Sequence, residues 1–214
     1  MSSYATNNDG WNNGLTLEGA KGNWGFEAKV IQRLGDNITT GEASTFAATG
    51  EEGDPKFTGR LNHTDFEQLN GSASVGYNGD FGKVEVNYTR WQNEHNFLLP
   101  NGKGLGQLLT NNIIQGQADF ELNDENTLRT TFSYISNQRQ SAKGGTTRSD
   151  MADLDERAHL DILRELYSGR ASLQHQEVGP LEGQVGLEVR STNQTTRGEN
   201  EPLVPSADLL NIGA

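Results

Sequence analysis

Cysteine is absent from the 214 residues, which excludes a disulfide framework, a thiolate metal site and a cysteine nucleophile. Apolar residues are scarce, at 32% with a mean hydropathy of -0.72. That is too little for a compact soluble core in a chain of this length, and it leaves three classes: disorder, a loop-rich β protein, or a barrel with a polar interior. No apolar run approaches the roughly 20 residues of a membrane-spanning helix. Cations are the minority charge, 17 against 29 acidic residues, for a net charge of -12. A nucleic-acid surface needs the opposite balance. The first ten residues have neither the basic nor the apolar region of a signal peptide, so an exported chain of this kind has its leader removed or encoded upstream.

What the chain has is alternation. In residues 71–91, Ala73, Val75 and Tyr77 share one parity. After Asn78-Gly79-Asp80-Phe81-Gly82, Val84, Val86 and Tyr88 share one against Lys83, Glu85, Asn87 and Thr89. Period two on both sides of a glycine-rich turn predicts an antiparallel hairpin with one wet face. The pattern recurs three times. Trp24, Phe26, Ala28 and Val30 follow a turn at Lys21-Gly22-Asn23. Ile114, Gly116, Ala118, Phe120 and Leu122 face Leu128, Thr130, Phe132 and Tyr134 across Asn123-Asp124-Glu125-Asn126. Tyr167, Gly169, Ala171 and Leu173 face Leu181, Val185, Leu187 and Val189 across Val178-Gly179-Pro180. Repeated alternation argues against disorder, which lacks periodic apolar positions.

Between the hairpins the pattern stops, at residues 35–67, 93–111 and 139–156, and all five prolines fall in connections. Breaks of this length belong to functional or mobile loops. Residues 151–166 carry two readings. Met151, Leu154, Ala158 and Ile162 lie near helical spacing behind Asp150, while Ala158, Leu160 and Ile162 alternate as a strand. The strand is favoured, with a bulge near Leu163–Leu166 resetting the parity for Tyr167. The expected fold is all-β: an antiparallel up-and-down transmembrane barrel segment of about eight strands in four hairpins, with short turns on one rim and long loops on the other.

The order of these pieces resembles TonB-dependent outer-membrane receptors. The likeness begins at Leu61-Asn62-His63-Thr64-Asp65-Phe66, which leads into the strand ending Val75-Gly76-Tyr77, and continues through Phe81-Gly82-Lys83-Val84 to Tyr88-Thr89-Arg90-Trp91. It returns at Leu128-Arg129-Thr130-Thr131-Phe132-Ser133-Tyr134 and at Tyr167-Ser168-Gly169-Arg170, followed by Gly179-Pro180-Leu181. It spans about residues 15–190. The resemblance implies that residues 1–214 are an interior portion of such a receptor's barrel, without its plug domain. It also implies a location in the outer membrane of a Gram-negative bacterium, and uptake of a scarce nutrient, most often a ferric siderophore complex. The partners it implies are that small-molecule ligand, outer-membrane lipid, and TonB acting through the plug.

Enzymatic chemistry has no foothold. His63, His95, His159 and His175 are scattered, with none at metal-ligand spacing. Gly102, Gly104 and Gly106 lack the spacing of a dinucleotide loop, no serine stands in a nucleophile elbow, and Glu51-Glu52 has no apolar setting to raise a pKa. We expect no catalytic residue, no metal and no cofactor. The ligand candidates are the aromatic and cationic residues assigned to loops: Trp91 and His95, with Phe97 beside them, and Arg139 and Arg148, with Lys143. Trp91 fits an interfacial aromatic girdle equally well. Two other classes stand beside the receptor: a self-closed eight-stranded structural or adhesive outer-membrane barrel, and a secreted glycan-binding β-domain. One expectation separates a barrel from a soluble sheet. Val75, Tyr77, Val84, Val86, Tyr88, Phe120, Phe132, Leu173, Val185 and Leu187 should share one face, with Glu85, Gln117, Arg129, Gln174 and Glu188 on the other.

Overall fold

A computed structural model describes residues 2–5, 8–39, 46–47, 56–57, 59–99, 103–143, 158–178, 181–197 and 205–214. The described residues form strands, turns and irregular segments, with no helix. In chain order the strands are β1 (Ser2–Ala5), β2 (Gly10–Lys21), β3 (Trp24–Gly35), β4 (Phe46–Ala47), β5 (Lys56–Phe57), β6 (Phe66–Gly79), β7 (Gly82–Leu98), β8 (Gly104–Asn123), β9 (Asn126–Lys143), β10 (Leu160–Val178), β11 (Leu181–Arg197) and β12 (Ala207–Gly213). Ten of them make one antiparallel up-and-down sheet in the order β1-β2-β3-β6-β7-β8-β9-β10-β11-β12, while β4 and β5 pair separately. Among the described residues the sheet is open: β1 pairs only with β2, and β12 only with β11.

The four expected hairpins are present. Lys21 pairs with Trp24, Gly79 with Gly82, Asn123 with Asn126 and Val178 with Leu181. Local chemistry sets each described turn. Gly22, at φ 58, takes the first central position of a two-residue turn, where an L side chain is disfavoured. Asn123 Oδ1 accepts from the Glu125 backbone N–H at 3.0 Å, an Asx-turn. Gly82 sits at φ 126, and a Cβ there would lie 1.9 Å from the Asp119 carbonyl oxygen of the next strand. Only glycine fits that position.

Residues directly opposite in an antiparallel ladder project to the same side. One rung can therefore be followed across the sheet: Phe26, Val75, Val86, Gly116, Phe132, Gly169, Val189, Ile212. All ten apolar residues expected on one face lie on rungs of that side, and Glu85, Gln117, Arg129, Gln174 and Glu188 lie on the other.

The apolar face is the exposed one. Leu17 is 57% exposed, Phe26 55%, Val86 45%, Phe132 51% and Val185 67%, whereas the one buried hydrophobic residue among those described is Ala142. The buried residues are instead polar: Glu94, Gln140 and Asp161 share a rung above the apolar band on its own side, and Gln107 and Thr196 lie on the opposite face. Soluble sheets turn their apolar face inward, and exposed patches beyond a few hundred Å² mark an interaction surface. This sheet is arranged the other way round.

Aromatic rings bracket the apolar band. Near the turns Trp24 meets Tyr77 edge-on with centroids 5.0 Å apart, Tyr77 stacks on Phe81 at 5.0 Å, and Phe81 lies 6.3 Å from Phe120. At the upper limit Tyr88, Ile114, Tyr134 and Tyr167 share a rung. Their hydroxyls reach toward polar groups one rung higher: Tyr88 donates to Asn112 Oδ1 at 3.0 Å, and Tyr134 to Glu165 Oε1 at 2.8 Å. The band also slants. The rung of Val30 at its upper edge on β3 arrives at polar Asn193 on β11, where the band tops out at Val189. Such a stagger is what strands tilted against a horizontal apolar layer produce.

Three expectations are corrected. Residues 93–111 are not a long connection, because β7 continues to Leu98 and β8 begins at Gly104, paired directly with it. The connection is closed by the Leu99 N–H donating to the Lys103 carbonyl at 2.8 Å. Residues 139–143 likewise belong to β9 rather than to a loop. No bulge interrupts residues 163–166, since β10 pairs without a shift from Leu160 to His175 on β9. Leu160, Ile162 and Leu166 therefore lie on the polar face, and Ile113, Ile135 and Leu166 cross it as one apolar rung. The segment 151–157 lies outside the described residues.

Candidate functional site

Above the apolar band the long strands carry the candidate residues on the polar face. Trp91 shares its rung with Asn70 on β6 and Asn111 on β8, and Asn111 accepts a hydrogen bond from Asn137 of β9. Asn93 pairs with Gln68 and Leu109, and Leu109 in turn with Arg139. His95 pairs with Phe66 and Gln107. Trp91, Arg139 and His95 thus occupy three successive rungs of one face, with Arg139 two strands away from the other two. Neighbouring strands lie about 4.8 Å apart, so the guanidinium and the imidazole are within each other's electrostatic reach. Trp91 and His95 are strand residues, not loop residues as expected. Trp91 shares its face with Glu85, which removes the girdle alternative, since the aromatic belts lie on the opposite side. Arg148 lies outside the described residues.

His95 is half-buried, at the mouth of a hollow of about 240 Å³ lined by Arg33, Phe66, Gln68, Asn93 and Phe97. Its ring stands edge-on to Phe97, centroids 4.5 Å apart at 86°, and its Nδ1 is 3.0 Å from the Asn93 amide nitrogen. Burial pushes the His95 pKa below its usual value. A hydrogen bond with Gln107 opposes that shift, and the positive charge of Arg139 adds to it. His95 stands beyond Tyr88, outside the apolar band. The imidazole is accordingly neutral at pH 7, with the permanent guanidinium of Arg139 two strands away and the Trp91 indole about 13 Å along β7 on the same face. That set can bind an anion or stack on a planar ligand, and it holds no nucleophile.

Among the described residues no group of three or more His, Asp or Glu could hold a metal ion. The other histidines stand apart: His63, at φ 61, packs against Gly104, and His175 covers Gly183. Sequence reasoning missed Arg33, Phe66 and Gln68, which line the hollow, and Gln107, which pairs with His95 from β8, all through strand pairing across distant segments. The available signal was parity, because each shares the register face of His95.

No protein-family model matches the chain, and no characterised protein matches it significantly. The molecule is therefore defined by its architecture: among the described residues, an open, all-antiparallel sheet with one exposed face whose apolar band is bounded by aromatic rows, and one face that is largely polar.

Proposed function

We propose that this chain forms an interior stretch of the barrel wall of a TonB-dependent outer-membrane receptor in a Gram-negative bacterium. Its cargo is a scarce nutrient such as a ferric siderophore complex, and TonB acts through the receptor's plug domain. The observation that carries the reading is the exposed apolar band between two aromatic rows, opposite a polar face. A lipid-facing barrel wall needs that distribution, and a soluble sheet cannot afford it. The slant of the band agrees with tilted strands. Strand length agrees as well: β7, β8 and β9 have 17, 20 and 18 residues, where about 9–11 cross a bilayer. The excess lifts His95, Arg139 and Trp91 out of the membrane layer, where a receptor meets its ligand. On this reading the chain supplies wall and ligand contacts and catalyses nothing.

The test is depth-resolved quenching. Single-tryptophan variants retaining Trp24 or Trp91 are refolded into vesicles containing lipids brominated on the acyl chain. Strong quenching of Trp24 with little quenching of Trp91 is expected. Equal quenching of the two, or none of Trp24, would sink the assignment of the apolar face to lipid.

A further inference from the structure

The polar face is electrically lopsided. On β9–β11 it carries Arg129, Arg139, Arg164, Arg170 and Arg190, and among the described side chains of that face one acidic residue, Glu188. This is a concentration of positive charge in a protein whose net charge is -12. On β2, β3, β6 and β7 the same face carries Glu18, Glu27 and Glu85 against Lys29, Arg33 and Lys83, which nearly cancel. Three consecutive strands therefore gather their arginines on one face.

Most of these arginines are not committed to the protein. Arg129 is bound by Asp119 of β8, Nε to Oδ1 at 2.8 Å and Nη2 to Oδ2 at 3.1 Å. Arg164, Arg170 and Arg190 have no hydrogen-bond or ion-pair partner among the described residues. Arg170 stands directly across from Glu188, yet the two form no ion pair. Register fixes the spacing. Arg190 pairs with Ser168, so Arg170 and Arg190 are diagonal neighbours, about 7–8 Å apart at Cα. Arg164 pairs with Asn137 and Gln194 two rungs above Ser168, across the one intervening rung, Ile135–Leu166–Thr192, that has no cation. Two depressions of the polar face open on the lower end of this column, at Arg170 and Arg190. One of about 510 Å³ is lined by Arg170, Gln184, Glu188, Arg190 and Asn211, and one of about 210 Å³ by Arg129, Thr131, Arg170 and Ser172.

We propose that the polar face of β9–β11 is a track for small multivalent oxyanions, bound first by Arg164 and handed downward to Arg170 and Arg190. The proposal deepens the receptor reading, on which it rests for the role of the anion as cargo, and it sets the cargo's charge as negative. Guanidinium groups present paired N–H donors that match carboxylate and phosphate oxygens, and hydroxyl and amide groups between them complete the shell. Several weak sites in succession suit passage better than one tight site, because each must release what it binds. Glu188 fits this requirement by weakening the hold at the lower site. A small anion is favoured over an acidic protein segment because the three uncommitted arginines are split into a diagonal pair, Arg170 and Arg190, and a single Arg164 two rungs away, rather than spread over a broad plateau.

The full chain, refolded in detergent micelles at low salt, is titrated with citrate and separately with pyrophosphate, with glucose as the neutral control. Both oxyanions should bind, more weakly as salt rises, and glucose should not. In the triple variant Arg164→Gln/Arg170→Gln/Arg190→Gln affinity should fall by about tenfold or more, as expected for losing charge-assisted hydrogen bonds. Lys83→Gln, on the other half of the same face, should leave affinity unchanged. Far-UV circular dichroism of each variant verifies the fold, and Arg170→Lys, which keeps the charge, should restore part of the binding if the triple variant is unstable. Unaltered affinity in the folded triple variant, equal loss in Lys83→Gln, or binding of a hexa-aspartate peptide without binding of either oxyanion would each overturn the track. Failure of the receptor reading is read separately. Trp24 unquenched by brominated lipid removes the barrel, whereas quenched Trp24 with no oxyanion binding removes only the track.

Discussion

Replacing Phe132 by arginine puts the inverted arrangement of the sheet to its hardest test. Phe132 lies between Gly116 and Gly169 on its rung, 51% exposed, one rung below Tyr134 and two above Leu128. It is therefore near the middle of the apolar band. If that band faces hydrocarbon, a charge there costs about 2–4 kcal/mol, falling to about 0–1 near the interface. Loss of the ring adds to it: about 100 Å² of phenyl surface taken from lipid, at about 25 cal/mol per Å², is roughly 2.5 kcal/mol. The combined penalty, about 4.5–6.5 kcal/mol, is comparable with the whole stability of many domains. Thr131→Arg moves the same charge to the adjacent residue and hence to the polar face, where the cost should be within about 0.5 kcal/mol. The assay is guanidinium unfolding of the two variants in lipid vesicles, followed by tryptophan emission and far-UV circular dichroism. In plain buffer the order should reverse, Phe132→Arg being the more soluble. Equal stability of the two variants in vesicles would refute the lipid-facing assignment of this side of the sheet.

Other outcomes can be stated from the geometry. Gly82→Ala should destabilise by about 2 kcal/mol or more, because φ 126 excludes a side chain and the Cβ would strike the Asp119 carbonyl. Gly76→Ala, whose Cβ would meet nothing closer than 3.7 Å, should cost far less in the same unfolding experiment. The His95 imidazole should titrate below the usual histidine value by NMR, and Arg139→Gln should raise its pKa, since the removed charge helps to depress it. A lowered folded-state pKa means that the unfolded chain takes up the proton first as pH falls. The stability contributed by neutral His95 is then present above about pH 6.5 and is lost as pH drops toward the folded pKa. His95→Gln should flatten that part of the pH profile.

The sequence made the lower half of the sheet readable, and the reason is contrast. Where one face is apolar and the other polar, as at Val84-Glu85-Val86, period two is visible residue by residue, and all four hairpins and their faces follow from it. Above the aromatic row the contrast vanishes. Asn93, Glu94, His95 and Asn96 alternate sides of the sheet, yet all are polar, so a strand there has the composition of a loop. Gly104 and Gly106 read as loop punctuation for the same reason, although Gly104 pairs with Leu98 and Gly106 with Asn96. The apparent parity break at residues 163–166 came from assuming that every apolar residue on β10 belongs to the apolar face. Leu160, Ile162 and Leu166 instead occupy the polar side, next to Ser141, Arg139 and Ile135 of β9. The candidate site suffered most. Trp91, His95 and Arg139 could be singled out by residue type, but their meeting on one face depends on a ladder joining three strands, and no local window contains that information.

The dispersal of apolar residues by alternation has a consequence before folding begins. Because each apolar side chain is separated from the next by a polar one, an unfolded stretch such as residues 83–91 has only about half the hydrophobicity of the surface it will later form. A translocation channel that sorts nascent segments by their hydrophobicity finds nothing here to release sideways into the inner membrane. The greasy face comes into existence only when ten separate segments align in register. On the barrel-wall reading the chain would therefore travel through water as an ordinary polar polypeptide and become a membrane solute only at its destination.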